Sequence, residues 1–147
     1  MPAEHARGLL DTNILILRRS IAPELLPDEL AISAVTLAEL SAGVHLVRGD
    51  DPQARAERAR RTDVLQRAEN EFDPIAFDAH AARTFGRISA AVQDAGRTPR
   101  RRVADLMIAA VAAAQGLPLY TTNPDDFAGL DGIVEVARVL RPDTGPG

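Results

Sequence analysis

Short apolar runs alternate along the chain with longer stretches of helical periodicity. Gly8-Leu9-Leu10 is an apolar run stopped by Asp11-Thr12-Asn13, the pattern of a short strand ending in a turn. Residues 14–19 suit a short helix, and Pro23 and Pro27 break the chain around an acidic loop. Leu30-Ala31-Ile32 predicts a second strand. Residues 35–47 read as a helix stopped by Gly49-Asp50-Asp51-Pro52. Residues 54–71 read as a strongly charged helix, with Glu57 and Arg61 placed for an i,i+4 pair. Pro74-Ile75-Ala76 predicts a third strand. Asp78 can cap a helix running to about Asp94, on which Ala81, Phe85, Ile88 and Val92 share one face. Residues 96–102 form a basic loop containing Pro99. Residues 103–115 form the most apolar helix, ended by Gly116 and Pro118. Leu119-Tyr120-Thr121 predicts a fourth strand and residues 133–136 a fifth. The tail, 141–147, is expected to be disordered.

Strands alternating with helices argue for an α/β domain with a mostly parallel sheet and helices on both faces. In such sheets ligands bind beyond the carboxyl ends of the strands. A length of 147 residues suits one domain with one core, expected over residues 1–140. The longest apolar run, 106–114, falls well short of the roughly 20 residues a membrane span needs, and the N-terminus lacks a signal-peptide core. A cytoplasmic, soluble protein with no membrane association is the expectation.

Composition removes several chemistries. There is no cysteine, which excludes disulfides, thiolate zinc sites and cysteine nucleophiles. All 17 basic residues are arginine. The missing lysine excludes Schiff-base and P-loop chemistry, and argues against a phosphoaspartate receiver domain of similar size. The formal net charge is -4, so any nucleic-acid binding must come from a local patch.

Five acidic residues at four places then stand out. Asp11 directly follows the first predicted strand, where a turn-forming role competes with a functional one. Glu39 fits a capping box as Thr36-x-x-Glu39, but both sides of its helix are apolar, so burial of its carboxylate is expected. Asp105 opens the most apolar helix and shares its face with Ile108, Ala109 and Ala112. Asp125 and Asp126 follow the fourth predicted strand, with Phe127 able to anchor the loop. These locations converge on one edge of a parallel sheet. Carboxylates gathered there repel unless a cation neutralises them, and all-oxygen ligation suits Mg²⁺ or Mn²⁺ rather than zinc.

The residues that carry these acids resemble the PIN-domain ribonucleases, specifically VapC-type toxins of type II toxin–antitoxin pairs. The matching segments are Leu9-Leu10-Asp11-Thr12-Asn13, Ser33-Ala34-Val35-Thr36-Leu37-Ala38-Glu39-Leu40, Ala104-Asp105-Leu106-Met107-Ile108-Ala109-Ala110 and Thr121-Thr122-Asn123-Pro124-Asp125-Asp126-Phe127. They occur in the family's order over nearly the whole chain. The resemblance implies a PIN-like three-layer α/β/α domain with a mostly parallel five-stranded sheet. It also implies a Mg²⁺-dependent site for RNA cleavage, with Mn²⁺ as a substitute, whose acidic core is Asp11, Glu39 and Asp105. Asp126 matches the fourth acidic position, with Asn123 and Asp125 close enough to compete for it. The family often has arginine where Thr122 stands.

The expected reaction is metal-assisted hydrolysis of an RNA phosphodiester. Asp11 and Asp105 are the expected main metal ligands, with Glu39 and Asp126 completing the site directly or through water. Thr12, Asn13, Thr121 and Asn123 are candidates to orient water or phosphate. Arg97, Arg100, Arg101 and Arg102 cluster just before Asp105 and are the first candidates for phosphate contacts. The resemblance further implies a VapB-type antitoxin as partner, and homodimerisation. A catalytically silent PIN-fold module that binds RNA or a protein is the alternative. A flap-type structure-specific nuclease should need a longer chain.

Overall fold

The computed structural model describes residues 6–142, with residues 1–5, the tail 143–147 and the side chains of Arg100 and Arg101 outside the described residues. Four strands, β1 (Arg7–Leu10), β2 (Glu29–Ala31), β3 (Leu119–Thr121) and β4 (Val136–Arg138), form one sheet in the order β2-β1-β3-β4. Every pairing is parallel. The register sets Leu9 opposite both Ala31 and Leu119, so the central strands β1 and β3 end side by side. Parallel neighbours need long crossovers. Among the described residues, α1 (Thr12–Leu17) lies between β1 and β2, and α2 (Ala34–His45), α3 (Pro52–Glu71), α4 (Ala79–Asp94) and α5 (Val103–Ala114) lie between β2 and β3, while β3 and β4 are joined by a loop with only the short turn Pro124–Phe127.

The two-residue period of the strands divides the apolar side chains between two cores. Leu9, Ala31 and Leu119 face Ala81, Ile88 and Val92 of α4 and Leu106, Ile108 and Ala109 of α5. Leu10, Ile32 and Tyr120 face Ile14 of α1, Leu40 of α2 and Ala68 of α3. The sheet is thus the middle of three layers. Burial on both faces explains why the strands read as continuous apolar runs rather than alternating ones. Leu9, Leu10 and Leu119 are fully buried, each contributing about 1.5–3 kcal/mol of hydrophobic stabilisation. Gly8 is obligatory for this packing, because a Cβ there would stand 2.6 Å from Cε1 of Tyr120.

Two predicted strands are displaced or reduced. Residues 74–76 form no strand. Ile75 makes a single parallel bridge to Ser33, donating to the Ile32 carbonyl at 2.9 Å and accepting from Ala34 at 2.8 Å. Pro74 has no N–H with which to extend that ladder. The sheet therefore has four ladder strands among the described residues, with this bridge at its β2 edge. The last strand lies at Val136–Arg138 rather than 133–136. The N–H groups of Ile133 and Val134 are turned back onto the Leu130 carbonyl at 3.0 and 3.2 Å, so the strand starts only after them. Among the described residues, no helix is long and apolar enough to cross a membrane.

Candidate active site

Asp11 sits at the carboxyl end of β1 and caps α1. Its backbone is extended, and its Oδ1 accepts the Thr12 N–H at 2.8 Å. Its Oδ2 accepts the hydroxyl of Thr121, at the end of β3, at 2.8 Å. Thr121 Oγ1 in turn accepts the Asn123 N–H at 3.0 Å. A hydroxyl has one proton, so this second bond leaves that proton aimed at Asp11. Asp11 is only 4% exposed. Burial pushes its carboxyl above the usual range, opposed by the Thr121 and Thr12 bonds, while Glu39 and Asp126 add repulsion.

Glu39 projects from α2. That helix is capped by Ser33, whose Oγ accepts the Thr36 N–H at 3.2 Å. The capping box expected at Thr36-x-x-Glu39 is therefore absent, because the helix starts three residues earlier. Glu39 is released from capping and accepts the Thr12 hydroxyl on Oε1 at 2.6 Å. It is half-buried rather than buried. Thr36 is fully buried, with its hydroxyl 3.0 Å from that of Thr12. Thr12 spends its one proton on Glu39, so Thr36 must be the donor of this second bond. Thr36 was read in the sequence only as a cap. Its position three residues before Glu39 puts the two on one helical face, which was the available signal.

Asp105 lies in the first turn of α5, half-buried, beside the fully buried Ile108, Ala109 and Ala112. Its carboxyl is pushed up to about 6, first by burial and then by the charges of Asp11 and Asp126, while Arg102 acts in the opposite direction. Asp126 lies in the short turn Pro124–Phe127, which the buried Phe127 pins to the core. Asp126 is ion-paired with Arg102. Asp125 is exposed, and its carbonyl accepts Arg97 Nη1 at 2.7 Å. Asp126, not Asp125, is the residue whose charge reaches both Asp11 and Asp105. Asn123 contributes its backbone N–H, while Asn13 stays exposed on the first turn of α1. Thr122 buries a hydroxyl for which the described residues supply no partner.

The donor chemistry fits a hard divalent cation. Every candidate ligand is a carboxylate, and a carboxyl held near 6 by burial and then by two like charges marks a cluster short of positive charge. Among the described residues, no three acidic or histidine side chains stand as a ready metal cage. The ligand set is thus gathered but not closed. Of the candidate phosphate-binding arginines, Arg97 and Arg102 turn towards the Pro124–Phe127 turn, and the side chains of Arg100 and Arg101 lie outside the described residues.

A three-layer α/β/α fold with carboxylates gathered at the carboxyl ends of its central strands is the class this geometry defines. The model of the PIN domain matches residues 8–133, and the chain belongs to the PIN domain family. It is 39% identical over 144 residues to Ribonuclease VapC5 of Mycobacterium tuberculosis, covering 95% of this chain and 100% of that protein. It is 36% identical over 108 residues to Ribonuclease VapC8 of the same species, covering 71% of this chain and 89% of the relative. The crystal structure of VapBC-5, a member of the VapBC family of toxin-antitoxin systems from Mycobacterium tuberculosis, superimposes with a TM-score of 0.76 at 39% identity. That match covers 91% of this chain and 99% of the other.

Proposed function

We propose that this chain is the toxin of a VapBC-type toxin–antitoxin pair, a ribonuclease that hydrolyses RNA phosphodiester bonds at a divalent-metal site. The observation that carries this reading is the electrostatic convergence of Asp11, Asp105 and Asp126, far apart in sequence, at the carboxyl ends of β1 and β3. The near-full-length likeness to Ribonuclease VapC5 supports the substrate class. The likeness to VapBC-5 supports a VapB-type antitoxin as partner. We take residues 1–140 as the single domain, the ion as Mg²⁺ with Mn²⁺ as substitute, and the compartment as the cytoplasm. A homodimer is the proposed assembly.

Asp11 and Asp105 are the proposed metal ligands, with Glu39 and Asp126 completing the site. When bound, the ion supplies a polarised phosphate oxygen and an acidified attacking water. The chain's own residues set up that chemistry. Thr121 holds Asp11 in a fixed rotamer, with its hydroxyl proton directed at Oδ2. The pair Thr36 and Thr12 does the same for Glu39. Such supporting bonds restrict side-chain freedom and aim the carboxylate oxygens. Asn123 holds Thr121 through its N–H. Water attack leaves a 5′-phosphate and a 3′-hydroxyl. Phosphate attraction comes from the arginine-rich segment before Asp105, where Arg100 and Arg101 are the proposed contacts alongside Arg97 and Arg102.

The test is cleavage of a mixed cellular RNA pool by antitoxin-free protein. Cuts should appear with Mg²⁺, vanish in EDTA, and vanish in Asp11→Asn and Asp105→Asn. A folded protein that cuts no RNA under any metal condition would move the reading to a silent binding module. Cuts that survive both substitutions would mean the site lies elsewhere.

A further inference from the structure

Arg102 is the cation set against this carboxylate cluster. It closes the turn Pro99–Arg102, immediately before α5 and three residues ahead of Asp105. Its Nη1 is ion-paired with Asp126 Oδ1, with side-chain exposures of 40% and 29%. The turn Pro124–Phe127 is tied a second time by the segment just before Pro99, where Arg97 Nη1 donates to the Asp125 carbonyl at 2.7 Å. The pair is therefore held by a braced loop rather than by two freely waving side chains. A guanidinium keeps its charge at every accessible pH. An oxygen facing it cannot also face a divalent ion without bringing two cations into repulsive contact. One oxygen of the fourth carboxylate is thus already engaged.

We propose that Arg102 is a positioning residue that acts as the internal counter-cation of the acidic site, holding Asp126 until a divalent ion displaces the guanidinium. This rests on the reading of the site as a divalent-metal centre. Metal binding is then an exchange of one cation for another at Asp126. Removing the resident cation should tighten metal affinity, the reverse of what loss of a merely structural arginine produces.

The experiment measures Mn²⁺ affinity without RNA, by the electron paramagnetic resonance signal of free Mn²⁺. The proteins are the wild type, Arg102→Gln, Asp126→Asn and the double variant, each checked for native helix content. Arg102→Gln should bind Mn²⁺ roughly two- to fivefold more tightly than wild type. Arg102→Lys keeps the charge and should restore affinity to within about twofold of wild type. In the Asp126→Asn background the gain from Arg102→Gln should largely disappear, because the two side chains act as a pair. Equal or weaker binding by Arg102→Gln overturns the proposal. So does a gain of the same size with and without Asp126, which would make Arg102 a charge acting at a distance. Absence of Mn²⁺ binding by both wild type and Arg102→Gln would instead sink the metal-centre reading, and this proposal with it.

Discussion

At the scale of single residues, the site is governed by the cost of confining negative charge. Asp105 holds its proton up to about 6 in the folded chain, against about 3.9 for an unfolded aspartate. Folding therefore takes up a proton between those two values, and the stability of the metal-free protein falls as pH rises through that window. Above it the shift corresponds to about 3 kcal/mol, which solvent screening of this half-buried carboxyl reduces to a penalty on the order of 2 kcal/mol. Asp105→Asn should accordingly stabilise the metal-free protein by about 1–2 kcal/mol at pH 7.5 while abolishing cleavage. Urea denaturation in EDTA measures this, and the gain should fade as pH falls towards 4. A variant less stable than wild type at pH 7.5 would contradict the account of burial and repulsion. The supporting threonines make a second prediction. Thr121→Val leaves Asp11 Oδ2 and the Asn123 N–H without their shared partner. Cleavage should drop about 10–100-fold, as for other orienting partners of metal ligands. Thr121→Ser should recover most of it. Wild-type turnover by the valine variant would show that this hydroxyl does not prepare Asp11.

At the scale of elements, helix starts position the chemistry. Ser33 caps α2, the helix that carries Glu39, and Asp78 caps α4, which lies on the other side of the sheet. Each cap satisfies an N–H of the first turn: Thr36 at 3.2 Å and Ala81 at 2.9 Å. Replacing either by alanine should cost about 1 kcal/mol of stability. The functional consequences should differ. Ser33→Ala loosens the first turn that holds Thr36 and so releases the Thr36–Thr12–Glu39 chain, lowering turnover. Asp78→Ala should leave turnover unchanged at temperatures where the protein is folded. Parallel measurements of melting and cleavage separate the two, and equal loss of turnover in both would mean that activity follows global stability alone.

At the scale of the whole molecule, the difficulty is a net charge of -4 on a protein proposed to bind a polyanion. The carboxylate cluster repels RNA, so attraction must be local and depends on salt. Each phosphate contact to single-stranded RNA adds about 0.7 to the slope of log affinity against log salt. Replacing Arg100 and Arg101 together by alanine should therefore lower that slope by about 1.4 and leave Mn²⁺ affinity unchanged. Filter binding of an uncleaved RNA to Asp11→Asn, across a salt series, reads this directly. An unchanged slope would move the RNA contact away from this segment.

The chain's own pattern determined what depends on neighbours in sequence. The order of the helices and of four of the five expected strands, the Asp78 cap, the i,i+4 pair of Glu57 and Arg61 at 2.7 Å, and the apolar face of α5 beside Asp105 were legible. Each follows from hydrogen bonds or side-chain periods spanning a few residues. The acids could be placed at strand ends and helix starts for the same reason. Tertiary structure decided the rest. Whether Asp125 or Asp126 faces the other acids depends on how Phe127 is buried, and the fourth strand's start depends on a turn onto Leu130. Thr121 reaches Asp11 across 110 residues, and Thr12 reaches Glu39 across 27, through a sheet register that no local pattern specifies. The arginines before Asp105 read as a phosphate-binding run, and only the structure shows that Arg97 and Arg102 also pair with the acidic loop. Local preferences fix which residues arrive at the sheet edge. Only the packing of both faces against α1–α3 and α4–α5 settles which of them meet.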